Sequence, residues 1–281
     1  MSYDFETTTH GKWILAGEHA VLRGHPALVF PVHDKKLTLK YQSSAKPLSF
    51  TYIGEQNTNM HQLFSKVLGH GLQLLGLSSD KISGEIQLES NIPVGVGMGA
   101  SAALCVAIAR WFVSRDLIQI QNTLNFAKEL EHLFHGQSSG LDIAGVSACK
   151  GIYFQQGDFT ALSETWTPNW GLSYCDEVGM TSPCIQQVQQ LWESNPTLAK
   201  QIDEQMHESV LIAKTALEHN KPESLPKLAQ AINQAMNCFQ QWGLISESLQ
   251  HHMQTLRKQG ALAVKPTGSG NGGYVVALWS S

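Results

Sequence analysis

The segment IPVGVGMGASAALCVA, Ile92 to Ala107, sets three glycines at alternate positions, then a serine, then an unbroken apolar run. Glycine at every second position frees the backbone for positive φ and for close approach to another group. Before it, residues 83–89 alternate Ile86 and Leu88 with Glu85, Gln87 and Glu89, the period of a half-buried strand. After it, the spacing predicts a helix from about Ser101 to Ser114. Strand, glycine loop and helix N-terminus in this order make a cradle whose N–H groups face an anion. Ser101, in the first turn, puts a hydroxyl near a phosphate or Mg²⁺, or else caps the helix.

Two familiar phosphate loops fit poorly. Gly95-x-Gly97-x-x-Ala100 satisfies the loose dinucleotide fingerprint. That fold also needs an acidic residue ending a second strand about 20 residues on. Asp116 stands at the right distance but follows a helix, and Pro93 sits badly in the tight entrance turn. No segment matches G-x-x-x-x-G-K-[ST]. A second glycine loop, Thr267-Gly268-Ser269-Gly270-Asn271-Gly272-Gly273, separates expected strands at 261–265 and 274–279. A hairpin needs only about two to five turn residues. A longer, glycine-dense connection marks close approach to a ligand.

Working outward, residues 11–16, 26–32, 36–42 and 48–53 read as strands. Met60, Leu63, Phe64, Val67, Leu68, Leu72 and Leu75 recur at helical spacing across 57–75. A helix is expected over Thr123–Phe134, stopped by Gly136, and a short one from near Ser139 to Gly151. A strand follows at 153–156. Trp166-Thr167-Pro168-Asn169-Trp170-Gly171 is the expected hinge, its two tryptophans packing rather than forming a contact surface. Beyond it come a strand at 172–177 and helical patterns from Pro183 to Gln259. The fold class is α+β in two domains, 1–165 and 166–281.

Of 281 residues, 42 % are hydrophobic and 15 % charged, enough for a buried core. The net charge of −4, without runs of like charge, argues against a basic nucleic-acid or membrane surface. MSYDFETTTHGK lacks a signal-peptide core, and the longest apolar run, Ala102–Ala109, is too short to span a bilayer. Five cysteines without Cys-x-x-Cys read as reduced thiols. A soluble, cytoplasmic protein is expected.

GKWILAGEHAVLRGHPAL (11–28), IPVGVGMGASAAL (92–104) and KPTGSGNGGYVVAL (265–278) resemble, in order, the three motifs of the GHMP kinases. ELEHLFHGQSSGLDIAG (129–145) is similar to the E-x-x-x-H-G-x-x-S-G-x-D pattern of mevalonate kinases. The resemblance implies a two-domain GHMP kinase fold: an N-terminal α/β domain with a left-handed-crossover-type nucleotide loop region, and a C-terminal ferredoxin-like domain. It implies ATP and Mg²⁺ as cofactors and a small-molecule alcohol as substrate, without nucleic acid or membrane. A homodimer is allowed for.

Residue by residue, the resemblance assigns Asp142 as catalytic base and Lys12 as its partner. Ser139-x-x-Asp142 also fits a capping box, and a helix N-terminus favours the ionised carboxylate. Lys12 otherwise reads as a solvated lysine at a strand start. Ser101 and Glu131 would hold Mg²⁺, Glu131 otherwise being a surface charge beside Lys128. Gly95, Gly97, Gly99, Ala100, Ser101, Ala102, Gly268, Ser269 and Gly270 would bind the nucleotide. Glu18, His19, Ser139 and Thr181 would face the substrate, His19 otherwise being a buried histidine satisfied by backbone. Two departures stand out, and the second, in the C-terminal loop, pulls towards another acceptor while the first and fourth motifs pull towards mevalonate. The first loop has Ala100-Ser101 where many relatives have two serines. The last has Pro266, Ser269 and Asn271, and K-P-[ST]-G resembles phosphomevalonate kinases. The alternatives are therefore phosphomevalonate or another small hydroxyl metabolite, or a non-catalytic binding protein of the same fold.

Overall fold

Two long strands open the chain, β1 (Phe5–Ala16) and β2 (Ala27–Pro47). Residues 26–32 and 36–42, expected as separate strands, belong to one. His33-Asp34-Lys35-Lys36 contains neither glycine nor proline, so the backbone stays extended through it. There follow β3 (Ser49–Ile53), α1 (Asn57–Leu74), β4 (Ser83–Ser90), α2 (Ala100–Ser114), α3 (Thr123–His135) and α4 (Leu141–Ser147). Next come β5 (Ile152–Gln155), β6 (Asp158–Ala161), β7 (Trp170–Tyr174), α5 (Thr181–Ser194) and α6 (Pro196–Glu218). The chain closes with α7 (Ser224–Gln241), α8 (Glu247–Lys258), β8 (Ala263–Thr267) and β9 (Tyr274–Leu278). The structure is a computed structural model and describes residues 3–54, 57–78, 82–135 and 138–280. Gly136, the expected stop of α3, lies outside them.

The chain divides into two compact units that interleave along the sequence. The first holds Met1–Lys12, Pro31–Val94 and Gly99–Ala148. In it β4 pairs antiparallel with β2, Leu37 opposite Ser90, and parallel with β3, Phe50 opposite Ile86. A parallel pair needs a long crossover, and α1 supplies it. α2 is the hub: Ala102, Ala103, Ala107 and Ala109 are fully buried, and small side chains let α3 and α4 lie close against it. From α3, Ala127 and Leu130 are buried on the expected apolar face. Thr9 Oγ1 donates to the Ala103 carbonyl at 3.0 Å, tying β1 to α2 one turn from the glycine loop.

The second unit holds Trp13–Phe30, Gly95–Met98 and Cys149–Ser281. Here β2 pairs through Ala27–Val29 with β5, which pairs with β6. A separate antiparallel sheet runs β7-β9-β8, so the expected terminal hairpin is present, with Thr267 opposite Tyr274. Pro266 is tolerated because β8 is an edge strand. The expected helices from 183 onward are α5 to α8. Ser209 Oγ donates to the Ala231 carbonyl at 2.8 Å where α6 meets α7. Trp166 Nε1 donates to the Ala216 carbonyl at 2.8 Å, and the Trp170 ring meets Trp13 and Phe30 at 5.0 and 5.1 Å, so both tryptophans pack.

All five cysteines are free thiols. No helix among the described residues is long and apolar enough to cross a membrane.

Candidate active site

In the first unit, β1 carries Lys12 inward. Its ammonium lies 2.8 Å from Asp142 Oδ1, and its side chain is only 2 % exposed, against 30 % for Asp142. Lys12 is thus not a solvated strand-start lysine. The capping box is absent: α4 begins after Gly140, whose backbone is left-handed at φ 87° and gives no side-chain cap. Ser139 instead accepts the Leu141 N–H at 3.2 Å in a local turn, and Asp142 falls on the second helical residue, free to meet Lys12.

Glu131 is buried on α3 at 1 % exposure, which removes the surface-charge alternative. Its Oε2 accepts from the Ser138 hydroxyl, and among the described residues its Oε1 is buried without a hydrogen-bond partner. Burial, and then the negative charge of Asp142, push its carboxyl up to about 8, against the Ser138 hydrogen bond and the Lys12 charge. A buried carboxylate oxygen without a donor fits a site that takes a cation.

Gly95, Gly97 and Gly99 have φ of 82°, 82° and 80°, a conformation costing other L-residues about 1–2 kcal/mol each. Gly99 has a second reason to be glycine. A Cβ there would stand 2.9 Å from Lys12 Cγ and 3.0 Å from Val146 Cγ1, displacing the very lysine that meets Asp142. Gly99 is also the N-cap of α2, which has no side-chain cap and no acidic residue in its first turn. The first-turn N–H groups of a helix have no intrahelical partner and suit an anion. Ser101 is the second residue of this helix rather than its cap.

The second unit holds another buried ionic centre. Lys265, fully buried on β8, donates to Glu18 Oε1 at 2.5 Å and to the Ile14 carbonyl at 3.3 Å, and lies 5.3 Å from the Phe239 ring centre. Among the described residues Glu18 Oε2 is buried without a hydrogen-bond partner. Burial raises the Glu18 carboxyl above the ordinary range, and the Lys265 ammonium opposes it. Thr267 Oγ1 accepts the Ile14 N–H at 2.7 Å, so both backbone groups of Ile14 are held from β8. Arg23 is bidentate to the buried Asp203, Nη2 at 2.7 Å from Oδ1.

His19 sits at φ 58° with Nε2 2.9 Å from the Ser269 carbonyl. A carbonyl only accepts, so Nε2 carries the hydrogen and Nδ1 is left as a lone-pair acceptor. The backbone-satisfied reading of this histidine therefore holds. Burial lowers its pKa to about 4, so it is neutral at physiological pH. As pH falls from about 6.5 towards 4 the unfolded chain takes a proton that the folded chain refuses, and stability drops. The loss reaches about 3 kcal/mol. Urea unfolding of wild type and His19→Gln at pH 7.5 and 4.5 reads it; an equal decline in both proteins would remove His19 as the cause.

The structure thus brings Lys12, Asp142, Glu131 and Gly99 together in one unit, and Glu18, His19 and Ser269 in the other. In the second unit the two glycine loops also meet. A Cβ on Gly97 would lie 3.4 Å from the Thr267 carbonyl, and one on Gly270 2.7 Å from the Leu244 carbonyl. Gly268, adjoining Thr267, has φ 110°. Ala100 and Ala102 are buried in the first turn of α2. Thr181 is the first residue of α5 and joins neither ionic cluster. Ser138, Lys265, Thr267 and the Arg23–Asp203 pair were not singled out from sequence. Only Lys265 left a signal there, a lone lysine inside the apolar strand AVKPT.

The chain is similar to several known proteins. Residues 62–151 match the family model described as GHMP kinases N terminal domain. The chain is 28 % identical to a mevalonate kinase of Pyrococcus horikoshii over 95 % of its own length and 86 % of the relative's. Its fold is similar to that of L. major mevalonate kinase in complex with R-mevalonate, with a TM-score of 0.80 at 22 % identity, covering 99 % of this chain and 87 % of the other. It is also similar to Streptococcus pneumoniae phosphomevalonate kinase, with a TM-score of 0.73 at 17 % identity, covering 99 % and 92 %. A matched N-terminal domain, a relative aligned along almost the whole chain and a shared fold make this chain similar to the GHMP kinases.

Proposed function

We propose that this chain is an ATP-dependent kinase that phosphorylates the primary alcohol of mevalonate to give 5-phosphomevalonate. The observation that carries the proposal is the buried Lys12 at 2.8 Å from Asp142, with Glu131 close enough for both charges to act on it. Asp142 takes the proton of the acceptor hydroxyl as its oxygen attacks. The Lys12 ammonium offsets negative charge developing on that oxygen. Because Lys12 is almost fully buried, its charge acts with little screening by water.

Glu131 and Ser101 are assigned to Mg²⁺. The partnerless Glu131 Oε1 fits a hard cation that prefers oxygen. Among the described residues no cluster of three histidine, cysteine, aspartate or glutamate side chains could hold a metal. Mg²⁺ typically takes one or two protein ligands and completes its shell from phosphate and water. When bound, ATP with its ion supplies the phosphoryl group and neutralised phosphate charge. Gly95, Gly97 and Gly99 shape the loop, and Ala100, Ser101 and Ala102 offer the free N–H groups of α2. Gly268, Ser269 and Gly270 are assigned to the nucleotide on the resemblance.

Glu18, His19, Ser139 and Thr181 are assigned to the acceptor. A neutral His19 with its lone pair on Nδ1 accepts from a hydroxyl rather than donating to an anion. A phosphorylated acceptor needs unpaired cations. The two cations beside the 17–23 turn, Lys265 and Arg23, are each bound to a carboxylate. This favours mevalonate over phosphomevalonate, despite the K-P-[ST]-G pattern. The domain division at 165/166, cytoplasmic residence and a homodimer belong to the same proposal.

A coupled ADP-release assay over mevalonate, phosphomevalonate and a panel of small alcohols tests it. Mevalonate is expected to give the highest kcat/KM. A preference for phosphomevalonate would overturn the acceptor assignment, and ADP release with no alcohol tested would overturn the kinase assignment.

A further inference from the structure

We propose that the Ser138 hydroxyl is the group that aims Glu131 at a divalent cation, a positioning role that rests on the assignment of Glu131 to Mg²⁺ above. Ser138 is buried, and its single hydroxyl proton goes to Glu131 Oε2. Its oxygen in turn accepts the Gly140 N–H at 3.1 Å. An amide N–H only donates, so the Ser138 oxygen is the acceptor there, and towards the ionised Glu131 carboxylate, which only accepts, the hydroxyl is the donor. Glu131 Oε2 is therefore committed, and Oε1 is the oxygen left bare in a nearly solvent-free position. A carboxylate locked through one oxygen and open at the other is preset for monodentate ligation.

The neighbouring serine does something different. Ser139 accepts the Leu141 N–H at 3.2 Å and serves the turn, although the sequence pattern draws attention to it first. Ser138 also links two parts of the centre. Gly140, which it holds, is the left-handed residue from which α4 and Asp142 start. One hydroxyl thus couples the orientation of the carboxylate on α3 to the turn that places the aspartate. Outer-shell partners of this type typically change metal affinity by about 10–100-fold when removed.

The test measures Mn²⁺ binding to the full-length protein with ADP, by the loss of the free Mn²⁺ electron paramagnetic resonance signal. Wild type, Ser138→Ala, Ser138→Thr and Glu131→Gln are compared. Ser138→Ala is expected to weaken Mn²⁺ binding about tenfold. ADP affinity without metal and the thermal midpoint should stay near wild type. Ser138→Thr, which keeps the hydroxyl, should bind within about threefold of wild type. In turnover, Ser138→Ala should raise the Mg²⁺ concentration needed for half activity, with kcat largely recovered at saturation. If Ser138→Ala binds Mn²⁺ like wild type while Glu131→Gln does not, the role of Ser138 is wrong and that of Glu131 stands. If Glu131→Gln also binds like wild type, the assignment of Glu131 to the metal falls, and this inference with it. Loss in Ser138→Ala that Ser138→Thr does not restore would assign the effect to packing and overturn the hydroxyl's role.

Discussion

Asp142→Asn is expected to lower turnover by about 10²–10⁴-fold, with ADP affinity within about twofold of wild type. Asparagine keeps the shape and still offers an oxygen to the Lys12 ammonium, which now stands 2.8 Å from Asp142 Oδ1. What it loses is the capacity to hold a proton. The substitution therefore separates base chemistry from architecture. Stopped-flow nucleotide binding and steady-state turnover on one preparation check it. Near-normal turnover would remove Asp142 from the role of base and leave the Lys12 pair a structural ion pair.

The second large effect is on stability. Lys265→Met should destabilise the protein by about 3–5 kcal/mol, because it strands the buried Glu18 carboxylate without its cation. Adding Glu18→Gln should restore much of that loss, since the charge that needed compensation is gone. The contrast between single and double substitution is the informative quantity. The desolvation cost of a buried pair offsets much of its Coulombic gain, whereas removal of one partner leaves an uncompensated buried charge. Urea unfolding of the two single variants and the double variant measures it. A Lys265→Met cost below about 1 kcal/mol would mean that the pair is not held ionised as described.

Much of the fold was legible in the sequence because its elements follow strong periods. The helix α1 and the strand β4 fall within a residue or so of where Leu63, Val67, Ile86 and Leu88 placed them. The single strand β2 was not legible as one piece, since Pro31 and the polar run after it resemble a turn. The glycine loop was legible as backbone chemistry, and its three positive φ angles bear that out. The reason for Gly99 was hidden, because it depends on Lys12 and Val146, far away in sequence.

The candidate site was legible in residue type more than in connection. Lys12 and Asp142 are 130 positions apart, and only the family resemblance joined them. Glu18 looks like an ordinary surface charge when read locally, and Lys265, 247 residues away, is legible only as a lone lysine in an apolar strand, without its partner. Burial makes them a pair, and burial at one position is set by the whole fold. Ser138 was overlooked beside Ser139 for the same reason: two adjacent hydroxyls differ only in where the turn before α4 points them. The supposed capping box failed because Gly140 supplies a left-handed entry to α4 and shifts the helix start past the serine.

The most direct measurement is ³¹P NMR of the product formed from ATP and mevalonate by the purified protein. Expected is a new phosphate-monoester resonance, split by coupling to a CH₂ group and growing in step with ADP. It should appear with wild type and be nearly absent with Asp142→Asn. Inorganic phosphate in its place, or a monoester formed equally fast by the Asp142→Asn protein, would contradict proton abstraction by this aspartate during transfer to a primary alcohol.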